Sequence, residues 1–287
     1  MLSAVVSSAR ERGEEAVVVT FWPHPRTVLQ QDAREFRILT SLEEKKALLL
    51  AAGIDRVEVI HFTREFAAMK ADEYLQLLAD KYGASLVVMG YDNRIGSDKL
   101  TAEEIGISQA VAPRPLPTSL RSVGPLPFTW PRAAMVSEDS NAPVISSTKI
   151  RKALQEGRVE EANGMLGYRY GLYGVVVAGN QMGRTMGFPT ANMQLYEPLK
   201  LVPANGVYAV EAEVLGTTYK GMCNIGMRPT VGGASRTIET HILDFDQDIY
   251  GLPLRIRFLR RIRDERKFPS LEALREQLTL DALNCKK

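Results

Sequence analysis

Cysteine is scarce. Cys223 and Cys285 are the only two in 287 residues, too few for a disulfide framework and too far apart for a metal knuckle, so a reducing cytoplasm is the expected compartment. Long apolar runs are missing as well. The longest, Ala47 to Ile54, falls well short of the roughly 20 residues that cross a bilayer. Met1 to Ala9 lacks the basic start and long apolar core of a signal peptide. The chain is therefore expected to be soluble and unexported, with no membrane partner. Neither sign of charge dominates. Lys plus Arg number 36 against 34 Asp plus Glu, a net charge of +2, which provides no general field for a nucleic acid backbone. No nucleic acid partner is expected, and any phosphate recognition must be local. A solenoid repeat is also absent. What remains is 45% hydrophobic and 24% charged residues, an ordinary folded composition long enough for about two domains at ~150 residues each.

The first hundred residues alternate between two periods. Ala16 to Thr20, Arg56 to His61 and Ser85 to Met89 are short β-branched or apolar runs of the kind found in buried parallel strands. Between them, Leu42 to Ala52 follows a capping-box pattern and stops at Gly53, and Ala71 to Tyr82 stops at Gly83, which predicts two helices. Strands alternating with such helices imply an open α/β sheet with helices on both faces and ligands at the carboxyl ends of the strands. Residues 107–143 break the pattern. Prolines at 113, 115, 117, 125, 127, 131 and 143 forbid a central strand and read as a linker or surface loop. Two short helices are predicted at Ser147 to Gln155 and Val159 to Leu166, with a domain boundary near 167. Beyond it, Tyr173 to Val177, Val207 to Val214, Thr218 to Ile225, Thr237 to Leu243 and Leu254 to Arg260 read as an antiparallel barrel, closed by a helix over Leu271 to Leu283.

Three stretches of the second half hold residues with chemical potential. Gly183 and Gly187 would let backbone amides approach phosphate oxygens in the loop that runs to Pro189. Thr190 and Asn192, two apart, would present neutral oxygens to one side of an extended chain, which suits a Mg²⁺ that takes its other ligands from phosphates and water. The same stretch also reads as a plain hairpin loop. In Thr237 to Leu243, alternation puts Ile238, Thr240 and Ile242 on one face and Glu239 with His241 on the other. Glu239 could take a proton from an attacking hydroxyl, or could simply be solvated. Arg263 to Phe268 reads as a charged turn.

Read together and in order, Gly187-Phe188-Pro189-Thr190-Ala191-Asn192, Asn205-Gly206-Val207-Tyr208, Asn224-Ile225-Gly226-Met227-Arg228-Pro229-Thr230, Glu239-Thr240-His241 and Arg263-Asp264-Glu265-Arg266-Lys267-Phe268 resemble the riboflavin kinase family. The resemblance implies transfer of the ATP γ-phosphoryl group to the ribityl 5′-hydroxyl of riboflavin, giving FMN. It also implies Glu239 as the base, Thr190 and Asn192 at the metal, and these two with Gly183, Gly187 and Pro189 at the ATP phosphates. Gly206, Tyr208 and Arg263 would bind the flavin. The family more often has Phe at Val231 and Thr at Met227.

The first half is similar to the adenylyltransferase part of the bacterial bifunctional riboflavin kinase/FAD synthetase family. Thr20-Phe21-Trp22-Pro23-His24-Pro25, Gly90-Tyr91-Asp92-Asn93-Arg94-Ile95-Gly96 and Ser146-Ser147-Thr148-Lys149-Ile150-Arg151 look like three of its motifs. The resemblance assigns nucleotide binding to Asn93, Ser146, Ser147, Thr148 and Arg151, although a hydroxyl-rich helix cap would look the same. The family's His-x-Gly-His motif, which stabilises charge on the attacked phosphate, has no counterpart among His24, His61 and His241. Met1 reads as falling just after the place of that motif. The Pro-rich segment stands where the family has a sheet strand, as a shifted reading frame would produce. The expected architecture is thus α/β plus all-β: a partial Rossmann-like nucleotidyltransferase domain over 1–166, then a riboflavin kinase-type antiparallel β-barrel with a C-terminal helix over 167–287. The expected activity is Mg²⁺-dependent phosphorylation of riboflavin by ATP, with an impaired FMN adenylyltransferase. A nucleotidyltransferase with an accessory barrel and a non-catalytic flavin-binding regulator are the rival readings. Riboflavin, FMN and ATP are the expected small-molecule partners, and no protein partner follows from the sequence.

Overall fold

The computed structural model describes residues 2–29, 36–89, 94–101, 104–105, 145–179, 182–230 and 233–286. The Pro-rich segment, Asn93 and Val231 lie outside the described residues. The chain divides into two compact units, one of residues 1–36 and 42–142, the other of residues 37–41 and 143–287.

In the first unit, β1 (Val17–Trp22) and β2 (Arg56–His61) pair in parallel, with Val17 opposite Arg56 and Trp22 opposite His61. Successive residues of a strand point to opposite faces, and the packing shows it. Val18 joins Ala9 of α1 (Leu2–Arg12) and Leu49 of α3 (Leu42–Ala51). Val19 joins Leu75 and Leu78 of α5 (Ala71–Tyr82). Helices therefore cover both faces of the sheet, as alternating strands and helices require. Short helices α2 (Pro25–Leu29) and α4 (Arg64–Ala67) also belong to this unit. Gly83 ends α5 in the left-handed conformation at φ 64°, its N–H closing on Ala79 O, a stop that β-carbon sterics reserve largely for glycine. One predicted strand is corrected. Ser85 to Met89 forms no β-ladder among the described residues. Its apolar residues Val87 and Met89 instead pack on the α5 cluster. A β-branched run satisfies burial there without the hydrogen-bonded neighbour that a strand needs.

In the second unit, β3 (Gly171–Val177), β4 (Ala191–Leu195), β5 (Gly206–Val214), β6 (Thr217–Thr230), β7 (Gly233–Ile242) and β8 (Pro253–Arg263) close into a barrel in the order β3-β4-β7-β6-β5-β8. Ala191 to Leu195, which the sequence reading did not count among the barrel strands, pairs with both β3 and β7 and completes the closure. Closure leaves no open edge. Inward-facing Leu172, Val176, Tyr208, Val210, Ile225, Ile256 and Phe258 are all nearly inaccessible. Helices α6 (Ser147–Gln155) and α7 (Val159–Leu166) share this core through Ala153, Leu154, Val159 and Ala162. Asn163 fastens α7, donating from Nδ2 to Phe258 O at 2.9 Å and accepting from Tyr170 N at 2.7 Å. In packing terms the barrel unit thus begins ahead of residue 167. A short turn of helix, α8 (Met182–Thr185), lies in the β3–β4 loop. The C-terminal α9 (Leu271–Lys286) covers the outer face of the barrel, where Leu278, Ala282 and Cys285 meet Val207, Ala209 and Met222.

Candidate active site

The barrel register builds the site. Cross-strand partners form one continuous row, Val177, Asn192, Glu239, Asn224, Val207 and Arg263, on β3, β4, β7, β6, β5 and β8. Their inward neighbours Ala191, Thr240, Cys223 and Tyr208 are buried. The row therefore lies on the outer face, the one that α9 covers at its β5 end. Directly opposed side chains in such pairs have Cβ atoms about 4.5–5.5 Å apart. Glu239 consequently stands between two carboxamides, Asn192 and Asn224, and all three are half-buried.

Close backbone approaches shape both ends of this group. A Cβ on Gly179 would come within 2.1 Å of Asn192 Nδ2, and one on Gly226 within 2.3 Å of a Glu265 carboxylate oxygen. Only glycine leaves room for those side chains. Glu265, next to Asn224, was not predicted from its charged turn, nor was Asn224. The outward position of Asn224 between buried Cys223 and Ile225 was the available signal.

The loop before β4 is self-closed and tied to β7. Phe188 N–H donates to Gly183 O at 2.8 Å and Gly187 N–H to Arg184 O at 3.2 Å, with Gly187 in the left-handed region at φ 84°. The two predicted glycines thus shape the loop. His241 Nδ1 lies 2.8 Å from Pro189 O, and its ring meets Phe188 edge to face at 5.3 Å. Thr190 follows Pro189 and borders a cavity of about 310 Å³ at the mouth of the barrel, walled by Val176, Ala191, Thr240, Arg184 and Asp248. That volume suits a small ligand. Behind it, burial pushes the Cys223 thiol up to about 12, which leaves it protonated and inert.

The predicted flavin residues divide. Gly206 is a close-approach position, where a Cβ would meet Arg263 O at 2.9 Å. Arg263 lies in the row, but its guanidinium is committed to the fully buried Asp281 of α9 through Nε and a terminal nitrogen, both at 2.8 Å. Tyr208 does not face the row. Strand parity turns it into the core, where its hydroxyl donates to Ala204 O at 2.6 Å and burial pushes its pKa up to about 12.

Of the residues assigned to the adenylyltransferase half, Ser146 caps α6 by accepting from Lys149 N–H at 3.3 Å, while Ser147 and Thr148 are exposed. Arg151 Nε donates to Arg37 O at 3.0 Å. All four belong to the same compact unit as the barrel. Asn93 lies outside the described residues. Among the described residues no helix is long and apolar enough to cross a membrane.

Comparison with known proteins matches residues 166–287 to the riboflavin kinase family model and residues 1–110 to that of FAD synthetase. A bifunctional riboflavin kinase/FMN adenylyltransferase of Bacillus subtilis is 35% identical over 277 residues, 95% of this chain and 82% of the relative. One of Escherichia coli K12, with the same description, is 32% identical over 292 residues, 100% of this chain and 86% of the relative. A crystal structure from Streptococcus pneumoniae, described as a macrolide-efflux protein, is 31% identical and superimposes with a TM-score of 0.82, covering 100% of this chain and 88% of that one.

Proposed function

Because this chain belongs to the bifunctional riboflavin kinase/FMN adenylyltransferase family, we propose that its outer-face row phosphorylates riboflavin, with Glu239 as the general base. The observation that carries the assignment is the register itself, which sets the one carboxylate of the row between Asn192 and Asn224. Glu239 takes the proton of the ribityl 5′-hydroxyl, the freed oxygen forms a bond to the γ-phosphorus, and the bridge to the β-phosphate breaks to leave ADP. Such transfers rely on positioning and charge stabilisation more than on covalent chemistry. Flanking carboxamides are suited to this, since they hydrogen-bond without adding charge.

Thr190 and Asn192 supply hard, neutral oxygens beside a carboxylate, and Gly179 leaves the Asn192 amide room, a donor set that fits Mg²⁺ shared with phosphates and water. When bound, Mg²⁺ neutralises charge on the transferring phosphates. The ATP phosphates are assigned to the loop of Gly183, Gly187 and Pro189, which leads into Thr190 and Asn192 beside Glu239. Riboflavin is assigned to the face bordered by Gly206 and Arg263, with Tyr208 supporting the strand from below. Two free, buried cysteines and balanced charge favour a cytoplasmic enzyme acting on small molecules, with no nucleic acid or membrane partner. For the FMN adenylyltransferase half, a polypeptide of these 287 residues alone, which contains no His-x-Gly-His, should make FAD slowly.

The experiment is Glu239→Gln assayed for FMN formation. A loss of roughly 10²- to 10⁴-fold in turnover is expected for a removed base, with riboflavin affinity nearly kept. Turnover at the wild-type rate would remove Glu239 from the mechanism.

A further inference from the structure

We infer that His241 is a positioning residue of the kinase site, which orients Thr190 through the carbonyl of Pro189. The inference rests on the kinase reading above.

Three observations converge on His241. It lies two residues from Glu239 on β7, so strand parity puts both on the outer face. Its Nδ1 is 2.8 Å from Pro189 O and its ring packs against Phe188. The loop that carries these two residues closes on itself through the Phe188–Gly183 and Gly187–Arg184 backbone bonds. Within the outer-face cluster Phe188 also rests beside Val207 and Met222. The imidazole is thus a polar tie between a self-closed loop and the strand that holds the base.

The chemistry of the tie is specific. A carbonyl oxygen only accepts, so Nδ1 must carry the proton and donate. In the neutral ring this leaves Nε2 without one. Pro189 C=O is one end of the planar peptide that leads to Thr190, so holding that oxygen sets the plane from which Thr190 departs and the entry into β4. Asn192 follows two residues later, opposite Glu239. One hydrogen bond therefore aligns the ligands assigned to metal and phosphate with the base on the neighbouring strand.

The test uses the full chain with His241 replaced by Asn, Gln or Leu. The Asn amide nitrogen falls near the position of Nδ1, whereas that of Gln falls near Nε2. His241→Asn should therefore keep the tie and His241→Gln lose it, at similar polarity. The expected result is a KM for Mg·ATP raised about 10-fold in the Gln and Leu variants, the scale of one well-placed hydrogen bond, and less than about 3-fold in the Asn variant. Riboflavin affinity should hold in all three. Amide hydrogen exchange of the 183–190 peptide should quicken in the same two variants and not in Asn, a readout that needs no turnover and serves even where Leu folds poorly. Equal KM values and equal exchange for Asn and Gln would overturn the proposal. Absence of turnover in the wild-type chain, with the exchange difference intact, would instead refute the kinase reading.

Discussion

The ion pair between Arg263 and Asp281 ties α9 to β8 of the barrel, and its removal has a calculable effect. The Asp281 carboxylate is fully buried and Arg263 is 17% exposed. Asp281 accepts from two guanidinium nitrogens, and from Gln277 Nε2 at 2.7 Å. The guanidinium also donates to Asp264 O at 3.0 Å and lies 5.5 Å from the Phe268 ring centroid. Asp281→Ala would leave the guanidinium largely desolvated and facing no anion, a change that typically costs about 3–5 kcal/mol. For a unit of ~150 residues, at roughly 2–4 °C per kcal/mol, the melting temperature should fall by about 10 °C. Calorimetry would measure the shift, and peptide-resolved hydrogen exchange would show whether α9 and β5 open together. Replacing both partners, Arg263→Met with Asp281→Leu, should restore most of the loss, since apolar residues of similar volume replace buried pairs at little cost. A single Asp281→Ala variant that melts within about 2 °C of wild type, or a double variant as weak as the single one, would refute the argument.

Thr190→Ala and Asn192→Ala should each raise the Mg·ATP requirement of FMN formation, by about 10-fold or more, as expected for oxygens lost around metal and phosphate. Initial rates at graded Mg²⁺ would check this, and an unchanged metal dependence in both would reduce the loop to a structural role. Supplied with riboflavin, ATP and Mg²⁺, the 287-residue chain should accumulate FMN and little FAD, because even one missing electrostatic donor costs ~10²- to 10³-fold. Chromatographic separation of the flavins tests it, and FAD forming as fast as FMN would contradict the reading. In the first unit, hydrogen bonds from Arg10 and from Ala16 N–H lower the Asp55 carboxyl to about 2. A carboxylate lowered in the folded state stabilises above its unfolded pKa, and that stability is lost as pH falls through the folded one. The first unit should therefore weaken between about pH 4 and pH 2, visible as Trp22 fluorescence in a Trp130→Phe background, and Asp55→Asn should flatten that dependence.

Much of this protein was legible without coordinates. The helices at Ala71–Tyr82, Ser147–Gln155 and Val159–Leu166 fall where periodicity and glycine stops place them. Local rules suffice there, because a helix satisfies its own backbone and announces its apolar stripe. The outward face of Glu239 and His241 was equally local, a consequence of the two-residue repeat of a strand. Ser85 to Met89 shows where such rules stop. Its composition suits a strand, yet a strand exists only with a neighbour, and its side chains pack on α5 instead.

The site itself is non-local. That Asn192, Glu239 and Asn224 stand side by side depends on the register of three strands, and a shift of one residue would turn any of them inward. That Tyr208 is core while Val207 borders the site depends on the same parity. The pairing of Arg263 with Asp281, and of His241 with Pro189, joins residues 18 and 52 positions apart, which no motif announces. Sequence by itself determined the two folding patterns and the chemical types available at each motif, because those follow from periodicity and residue chemistry. Only the closed barrel decided which of them meet, because closure alone sets register, and register sets which side chains share a face.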